Sequence, residues 1–593
     1  MRILGLSSFA HDQSAALLED GVVRAVVEES KISRQKNTRG LPRTAIQFCL
    51  KRSGAGWEAI DHVAIASTPV KGWMRRSAAA AGISPFDPAA VGYAQAGELG
   101  RVARELGHLR WLRHQPGADA KKFLHVEHHL SHAASAFFLS PFERALVLIM
   151  DEDGDGKSGM VAIGEGSSLR KLRDIRYPHS LAWLFSQITE ILGFVPHADE
   201  HKTQWLGLGS EPLYREVFRD MLGPSPAGSL RFDSTYLDHG VGGRFVLSDK
   251  FWRKTGLPRN PAEFTDEQRR GLAATVQQAC AEKVGEILET LRRQHDLQYV
   301  CLGGGLFNNT LLVSSLEQGV GLDQVFVPPA PGNSGTAIGA ALYLQHHVQK
   351  QPRKPISLDT YWGPSYSRHE IKDVLDNCKA RFSFQVMRER QTDQAVQLLL
   401  AGKIIGWFQG AAEFGPRALG NRSVLASPWA PYVKENLNDF IKHREWFRPF
   451  AISVPEEDAA RYFESSHLCE FMNSLGRVRS GAEGLLEGFI LPGGLVRLHI
   501  VKKETNLALW DLLKRYGLQS QAPMLLNTSF NLFGEPLVVS PLDAIRSYSC
   551  SGVDALLMDN FLLTKAPFAA TASARPARET SAEAESSASR VNA

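Results

Sequence analysis

Two histidines, His128 and His132, stand four residues apart in a stretch whose small residues Ser131, Ala133, Ala134, Ser135 and Ala136 predict a closely packed helix. On a helix that spacing sends both imidazoles out of one face. The apolar run 145–150 that follows predicts a buried strand with Asp151 at its carboxyl end, where open α/β sheets bind ligands. Two imidazoles and a carboxylate are a donor set for iron or zinc. The same stretch spells the start of a calcium loop, Asp151, Asp153, Asp155 and Gly156. Its twelfth position is Ala162 where a bidentate Glu is needed, and the segment before it is strand-like, which disfavours calcium.

Oxyanion chemistry is signalled elsewhere. A predicted strand at 299–302 runs into GGGLFNN, where the bare backbone of Gly303 and Gly304 lets N–H groups approach a phosphate. In PPAPGNSGTAIGAALYL the turn around Gly332, Asn333, Ser334 and Gly335 opens a predicted helix whose first N–H groups favour the same charge. Neither is G-x-G-x-x-G, so a Rossmann dinucleotide unit gets little support. Further on, AAEFGPRALGNRSVLASP places Glu413, Arg417 and Arg422 on a Gly/Pro loop suited to an oxyanion pocket. IKHREWFRPFAIS interleaves Lys442, Arg444 and Arg448 with aromatic residues, and charges so placed need buried anionic partners, with phosphate the favoured one. Arg497 falls mid-strand in LVRLHIV, and Asn527, Thr528, Ser529 and Asn531 follow a buried strand as hydrogen-bonding groups. Two loops stay open between function and solvation: His11 with Asp12, and Glu200 with Lys202.

These residues need a scaffold. Alternation predicts strands at 2–6, 14–18 and 22–27 with a tight turn at Asp20-Gly21, and a like meander at 145–150, 159–163 and 169–175, so the first half reads as a duplicated fold clasping a nucleotide. Residues 34–113 read as a helix-rich insertion. Helices are expected at 180–192 and 266–294, and the Pro- and Lys-rich 349–357 as a linker. A new unit then opens with a helix at 368–379, a strand at 382–387, a helix at 392–401 and a strand at 404–408. The tail, 567–593, is rich in Ala, Ser, Glu and Arg without periodicity and is expected to be disordered.

Of 593 residues, 67 are Lys or Arg and 63 Asp or Glu, and this small excess without a sustained basic block argues against a nucleic-acid or membrane-surface partner. Six cysteines without C-x-x-C spacing fit a reducing cytoplasm rather than a disulfide framework or zinc ribbon. The amino terminus is not expected to be a secretory signal, and no apolar run approaches the roughly 18 residues of a membrane span.

Together the HD-x-S start, H-H-L-S-H-A, the strand ending in Asp151, E-x-K-x-x-x-L-G-L, G-G-x-x-x-N and P-G-N-S-G-T-A-I-G-A resemble the O-carbamoyltransferases of nodulation and antibiotic pathways, the NodU and TobZ type. E-F-G-P-R-A-L-G-N-R-S, K-x-R-E-x-F-R-P-F-A and L-N-T-S-F-N resemble the second half of the same family. The resemblance implies an α/β protein. A duplicated TsaD-like domain of actin and sugar-kinase type would span 1–348, and a YrdC-like domain would span 358–566. It implies ATP-dependent transfer of the carbamoyl group of carbamoyl phosphate, through carbamoyladenylate, to a hydroxyl of a natural product or sugar. His128, His132 and Asp151 would hold a divalent metal, iron(II) first and magnesium second, with Asn333 where the family has Asp. Gly303, Gly304, Asn308, Gly332, Asn333 and Gly335 would line the ATP site. Arg417, Lys442, Arg448, Arg497 and Asn527 would hold carbamoyl phosphate, and His11, Asp12, Lys442 and Arg497 would act in catalysis. A homodimer is compatible with this reading. Ala411, Ala412, Gly493, Leu495 and His499 depart from the family pattern, and Asn333, Ala411 and Gly493 motivate an alternative, a pseudoenzyme or nucleotide-binding module of the same fold.

Overall fold

The alternation of the first 28 residues forms an antiparallel meander of Arg2–Ser7, Ser14–Glu19 and Val22–Glu28 in the computed structural model of the chain. Asp20 and Gly21 close its first hairpin at φ of 50° and 81°, the positive angles that a two-residue turn needs. The structure describes residues 1–565 apart from 8–10, 37, 39, 69, 76–87, 119–121, 240–244, 322, 355–357, 379–381 and 389, so the expected tail and part of the expected linker lie outside the described residues.

Two further strands, His62–Ile65 and Phe123–His125, add in parallel beyond Arg2–Ser7 and complete a five-stranded sheet. A second sheet repeats this order and these polarities. Its meander is Arg144–Gly154, Lys157–Glu165 and Ser168–Arg176, and its parallel additions are Val300–Gly303 and Val325–Phe326. The duplication read from the sequence is therefore present strand for strand. The reading of 34–113 as an insertion is corrected, because His62–Ile65 within it lies next to the first strand of the chain. Four residues, HVAI, are too few to show a period.

Between the sheets pack two helices, His128–Phe138 and Thr336–Leu342. Glycines set their distance: a Cβ on Gly339 would lie 1.8 Å from the Ser131 carbonyl oxygen, and one on Gly5 would lie 1.9 Å from that of Ala337. The second unit is built on a mixed ten-stranded sheet, centred on Ile405–Phe408, Arg422–Ala426, Leu525–Ser529, Ala451–Pro455 and Leu495–Val501.

The two halves are pinned together by buried polar contacts. Lys31 Nζ donates to the carbonyls of Glu413 and Gly415, each at 2.8 Å, and pairs with Glu28 at 3.0 Å, while Glu28 accepts from the Gly415 N–H at 2.8 Å. Arg34 reaches Glu535 and Asp543, and Lys202 reaches Glu445 at 2.7 Å. All six cysteines are free thiols. No helix among the described residues is long and apolar enough to cross a membrane.

Candidate active site

His128 and His132 leave one face of their helix and meet Asp151 at the end of the first strand of the second sheet. The two Nε2 atoms are 3.1 Å apart, and they lie 3.2 Å and 3.1 Å from the same Asp151 Oδ2, with all three residues buried. Adjacent ligands around an ion with bonds of about 2.1 Å are separated by roughly 3.0–3.4 Å, so the donor set fits a divalent ion in both chemistry and spacing. Burial alone would raise the Asp151 carboxyl, and the hydrogen bonds from both histidines outweigh it and hold it well below the usual carboxylate range. A Cβ on Gly154 would lie 2.0 Å from His128 Cδ2, so a glycine there admits the ring.

The last aspartate of the calcium-like motif does mechanical work. Asp155 accepts from the backbone N–H groups of His128 and Thr68 and from the Thr68 hydroxyl, at 2.8–3.0 Å, tying the start of the histidine helix to the segment that follows the strand His62–Ile65 of the first sheet. His129, between the two donors, is fully buried with neither ring nitrogen hydrogen-bonded. Burial pushes its pKa well below the ordinary value, and it packs as a neutral ring.

Asp151 opens onto a cavity of about 360 Å³ between the two halves, lined also by His11, Asp12, Glu152, His197, His201, Asn308, Arg417, Arg448 and Arg497. A second cavity of about 370 Å³ shares Asp12, His197, Asn308 and Arg417 with it and continues past Gly332, Asn333, Ser529 and Asn531. Sequence-expected residues from both halves thus meet at one place. His11 Nδ1 lies 3.0 Å from Asp12 Oδ2, and its Nε2 lies 3.2 Å from Asn333 Nδ2.

The guanidiniums of Arg417, Arg448 and Arg497 concentrate positive charge in this space, with Arg444 near enough to repel Arg497. Burial first, then repulsion from neighbouring arginines, pushes Arg417 down to about 10, Arg444 to about 9 and Arg497 well below its usual value. Arg417 spends one donor on the Asn308 carbonyl at 3.0 Å, while its Nε and that of Arg497 are buried without a partner. The only carboxylate paired with Arg448 among the described residues is Glu445, at 3.7 Å, and Glu445 itself is drawn to Lys202. The same arginines, after burial, push His201 down to about 2, so that ring is neutral.

Several expected residues sit behind these walls. Lys442 Nζ is turned to Ser529 and Asn531, within 2.8–3.2 Å of four of their oxygens, and so stiffens a loop that lines the second cavity. Asn527 donates to Ala418, Ser453 and His499 in a buried network, leaving its Oδ1 without a partner. Gly303, Gly304 and Gly335 serve close backbone approach: a Cβ on Gly304 would lie 2.1 Å from the Met150 carbonyl oxygen, and one on Gly335 would lie 2.0 Å from that of Ala330. The pairing of Glu413 with oxyanion-binding arginines is corrected in part. Glu413 Oε1 accepts the N–H groups of Leu419, Asn421 and Arg422, and Arg422 gives its donors to four backbone carbonyls while stacking on Phe408, so both close the loop that carries Arg417. Lys202 is an interdomain bridge rather than a substrate lip, while Glu200 caps His197 and lines the first cavity. Glu152, His197 and His201 escaped sequence reasoning, although HADEH sets two histidines four apart beside Glu200.

Family models agree with this two-part site. Carbamoyltransferase N-terminus matches residues 2–85 and 93–342, and Carbamoyltransferase C-terminus matches residues 396–565. Nodulation protein NolNO of Sinorhizobium fredii is 33% identical over 94% of this chain and 80% of its own. Nodulation protein NolO of Bradyrhizobium diazoefficiens is 34% identical over 74% of this chain and 79% of its own. An uncharacterized protein of Synechocystis is 31% identical over 97% of this chain and 98% of its own.

Proposed function

The chain belongs to the carbamoyltransferase family, and from that premise we propose that it transfers the carbamoyl group of carbamoyl phosphate, activated by ATP as carbamoyladenylate, to a hydroxyl of a small natural product or sugar. The observation that carries this reading is the single space in which Arg417, Arg448 and Arg497 face His11, Asp12 and Asp151. Guanidiniums so short of carboxylate partners require an anion, and a cavity reaching from them to a second set of polar groups suits an activated intermediate that must be kept from water.

At the arginine end, phosphate leaves carbamoyl phosphate as water adds, giving carbamate. A carbamate oxygen then attacks the α-phosphorus of ATP and pyrophosphate leaves. Arg417, Arg448 and Arg497 neutralise the phosphate oxygens, and Lys442 holds the Ser529–Asn531 wall. Asn527 stands in register with Arg497 two strands away, with Ala451 on the strand between them. Asn308, Gly332 and Asn333 line the path of the nucleotide, with Gly303, Gly304 and Gly335 shaping it from behind. At the other end, His11 and Asp12 contact the reacting groups. His128, His132 and Asp151 would hold a divalent ion, iron(II) by their imidazole content and magnesium less well, with the Asn333 amide oxygen as a fourth ligand where the family has Asp. When bound, such an ion supplies positive charge for nucleotide phosphate. Residues 1–348 would carry transfer, and 358–566 would carry adenylate formation.

The test is release of pyrophosphate from ATP that depends on carbamoyl phosphate. The parent is expected to show it, and Arg497→Ala to lose it by roughly 10²–10³-fold, as for other preorganised donors at developing charge. Equal rates for the two proteins would overturn the assignment, and no release by a parent that binds ATP would favour the nucleotide-binding pseudoenzyme.

A further inference from the structure

A second imidazole–carboxylate pair faces His11. The rings of His197 and His11 have centroids 5.6 Å apart. His197 holds a left-handed backbone, φ 64°, fixed by donation of its N–H to Glu200 Oε1 at 2.6 Å. Its Nδ1 lies 3.2 Å from Glu152 Oε2, and Glu152 directly follows Asp151 on the same strand. The ring is therefore located both by its own loop and by the strand that ends at the metal-type cluster. It lines both cavities, at their junction with Asp12, Asn308 and Arg417. An intermediate passing from the arginines to the transfer end meets it.

The two histidines differ at Nε2. A carboxylate on Nδ1 keeps the ring proton there and leaves Nε2 as the acceptor in both. In His11 that acceptor is already occupied by the side-chain amide of Asn333, at 3.2 Å. In His197 no group among the described residues occupies Nε2, and the side chain is about one-third exposed, at 34%. A general base needs a free lone pair within reach of the substrate hydroxyl and a third group that orients it. His197 with Glu152 meets both requirements. His11 meets only the second.

We propose that His197, oriented by Glu152, is the general base of the transfer step, an inference that rests on the carbamoyltransferase reading above. Its Nε2 takes the proton of the acceptor hydroxyl while the hydroxyl oxygen bonds to the carbamoyl carbon. The bond from that carbon to the adenylate oxygen breaks, and AMP leaves with the bonding pair. The proton remains on His197 until solvent removes it. Glu152 is a positioning residue, and His11, fixed between Asp12 and Asn333, orients the reacting groups.

Two measurements on the full chain decide it. With water as the probe acceptor, carbamoyl-phosphate-dependent AMP formation from ATP is compared in the parent and in His197→Asn, which tolerates the left-handed backbone. Loss of a general base is expected to slow it by roughly 10²–10⁴-fold. Hydroxylamine, a nucleophile that needs no base, should restore AMP formation in the variant to within a few-fold of the parent and yield hydroxyurea. A variant that forms AMP in water as fast as the parent overturns the proposal, as does one that hydroxylamine leaves inactive while pyrophosphate release continues. The second measurement does not depend on turnover. Diethyl pyrocarbonate acylates imidazole nitrogens that have a free lone pair, and peptide mapping should find His197 modified faster than His11. Glu152 holds the His197 pKa above its ordinary value, so the rates are compared at alkaline pH, where the ring is neutral with or without its carboxylate; there the rate should fall in Glu152→Ala and return in Glu152→Asp. His11 modified as fast as His197 would overturn the proposal. A parent that releases neither pyrophosphate nor AMP, even with hydroxylamine, would sink the functional reading instead, and the labelling would still decide the free lone pair of His197.

Discussion

A buried imidazole at position 499 shows how one side chain sets a pH limit on the whole chain. His499 hydrogen-bonds Ser453 at 2.9 Å and Asn527 at 3.3 Å behind the arginine wall, and burial pushes it down to about 3. In the unfolded chain a histidine titrates near ~6.5. Its folded pKa is depressed, so below that unfolded value the unfolded state binds the extra proton and stability falls. The contribution is fully present above about pH 6.5 and is lost progressively toward pH 3, at up to ~1.4 kcal/mol per pH unit. His499→Gln keeps a donor and an acceptor for Ser453 and Asn527 but has no such proton to take. We expect the two proteins to unfold alike in urea at pH 7, and the parent to lose about 2 kcal/mol more than the variant on going to pH 5. Parallel losses would show that His499 is not the group responsible. The same position shows what a substitution away from the family pattern means physically: the histidine fills a buried polar network, and Arg497 keeps its place in the cavity two residues earlier.

Among the elements, the histidine helix depends on its neighbour for position. A Cβ on Gly339 would meet the carbonyl oxygen of Ser131 at 1.8 Å and the N–H nitrogen of Ser135 at 3.0 Å, backbone atoms on both sides of His132 that cannot turn aside. Gly339→Ala should therefore destabilise the protein by about 1–3 kcal/mol and lower the divalent metal retained at the proposed His128–His132–Asp151 site, read by thermal melting and elemental analysis. Gly319, in the helix Thr310–Val320 with no heavy atom near its Cβ position, is the control, and Gly319→Ala should stabilise by about 0.5–1 kcal/mol. If both alanine variants melted alike, close approach would not be what Gly339 provides. The paired meanders, the long helix Asp266–His295 and the strand carrying Arg497 were legible in the sequence because period and turn residues agree over many positions. Four-residue strands such as His62–Ile65 were not. Nor could residue type separate Arg417 from Arg422, five positions away. One faces the cavity and the other is spent on backbone carbonyls, and the difference arises only when Glu413 gathers three N–H groups and closes the loop. His197 was missed for a related reason, since its partner Glu152 is distant in sequence and its loop has no periodic signal.

At the scale of the whole molecule, the reaction space exists only while the halves stay together, and Lys31 is where their attachment is most concentrated. Its side chain is 8% exposed, and its ammonium joins Glu28 of its own half to two carbonyls of the loop that carries Arg417. Glu28 in turn accepts the N–H of Gly415, and burial raises its carboxyl above the ordinary range, so it depends on that ammonium to remain charged. Lys31→Met preserves the stem but leaves two carbonyls and a carboxylate buried without their cation, a change that in other buried pairs costs about 3–5 kcal/mol. The first half has a core of its own and the second half has two, while Leu468, Trp362 and Phe414 of the second half pack into cores of the first, so the loss should fall on the polar part of the contact between them. Calorimetry is expected to resolve two transitions in Lys31→Met where the parent gives one. Adding Glu28→Gln should recover part of the lost stability by removing the stranded charge. The functional consequence differs from that of an arginine variant: pyrophosphate release should survive, because Arg417, Arg448 and Arg497 belong to one half, while transfer at the His11 end should fall as the intermediate escapes to water. Equal loss of both activities would mean that Lys31 supports the adenylate-forming half itself, and an unchanged single transition would place the attachment at Arg34 or Lys202 instead.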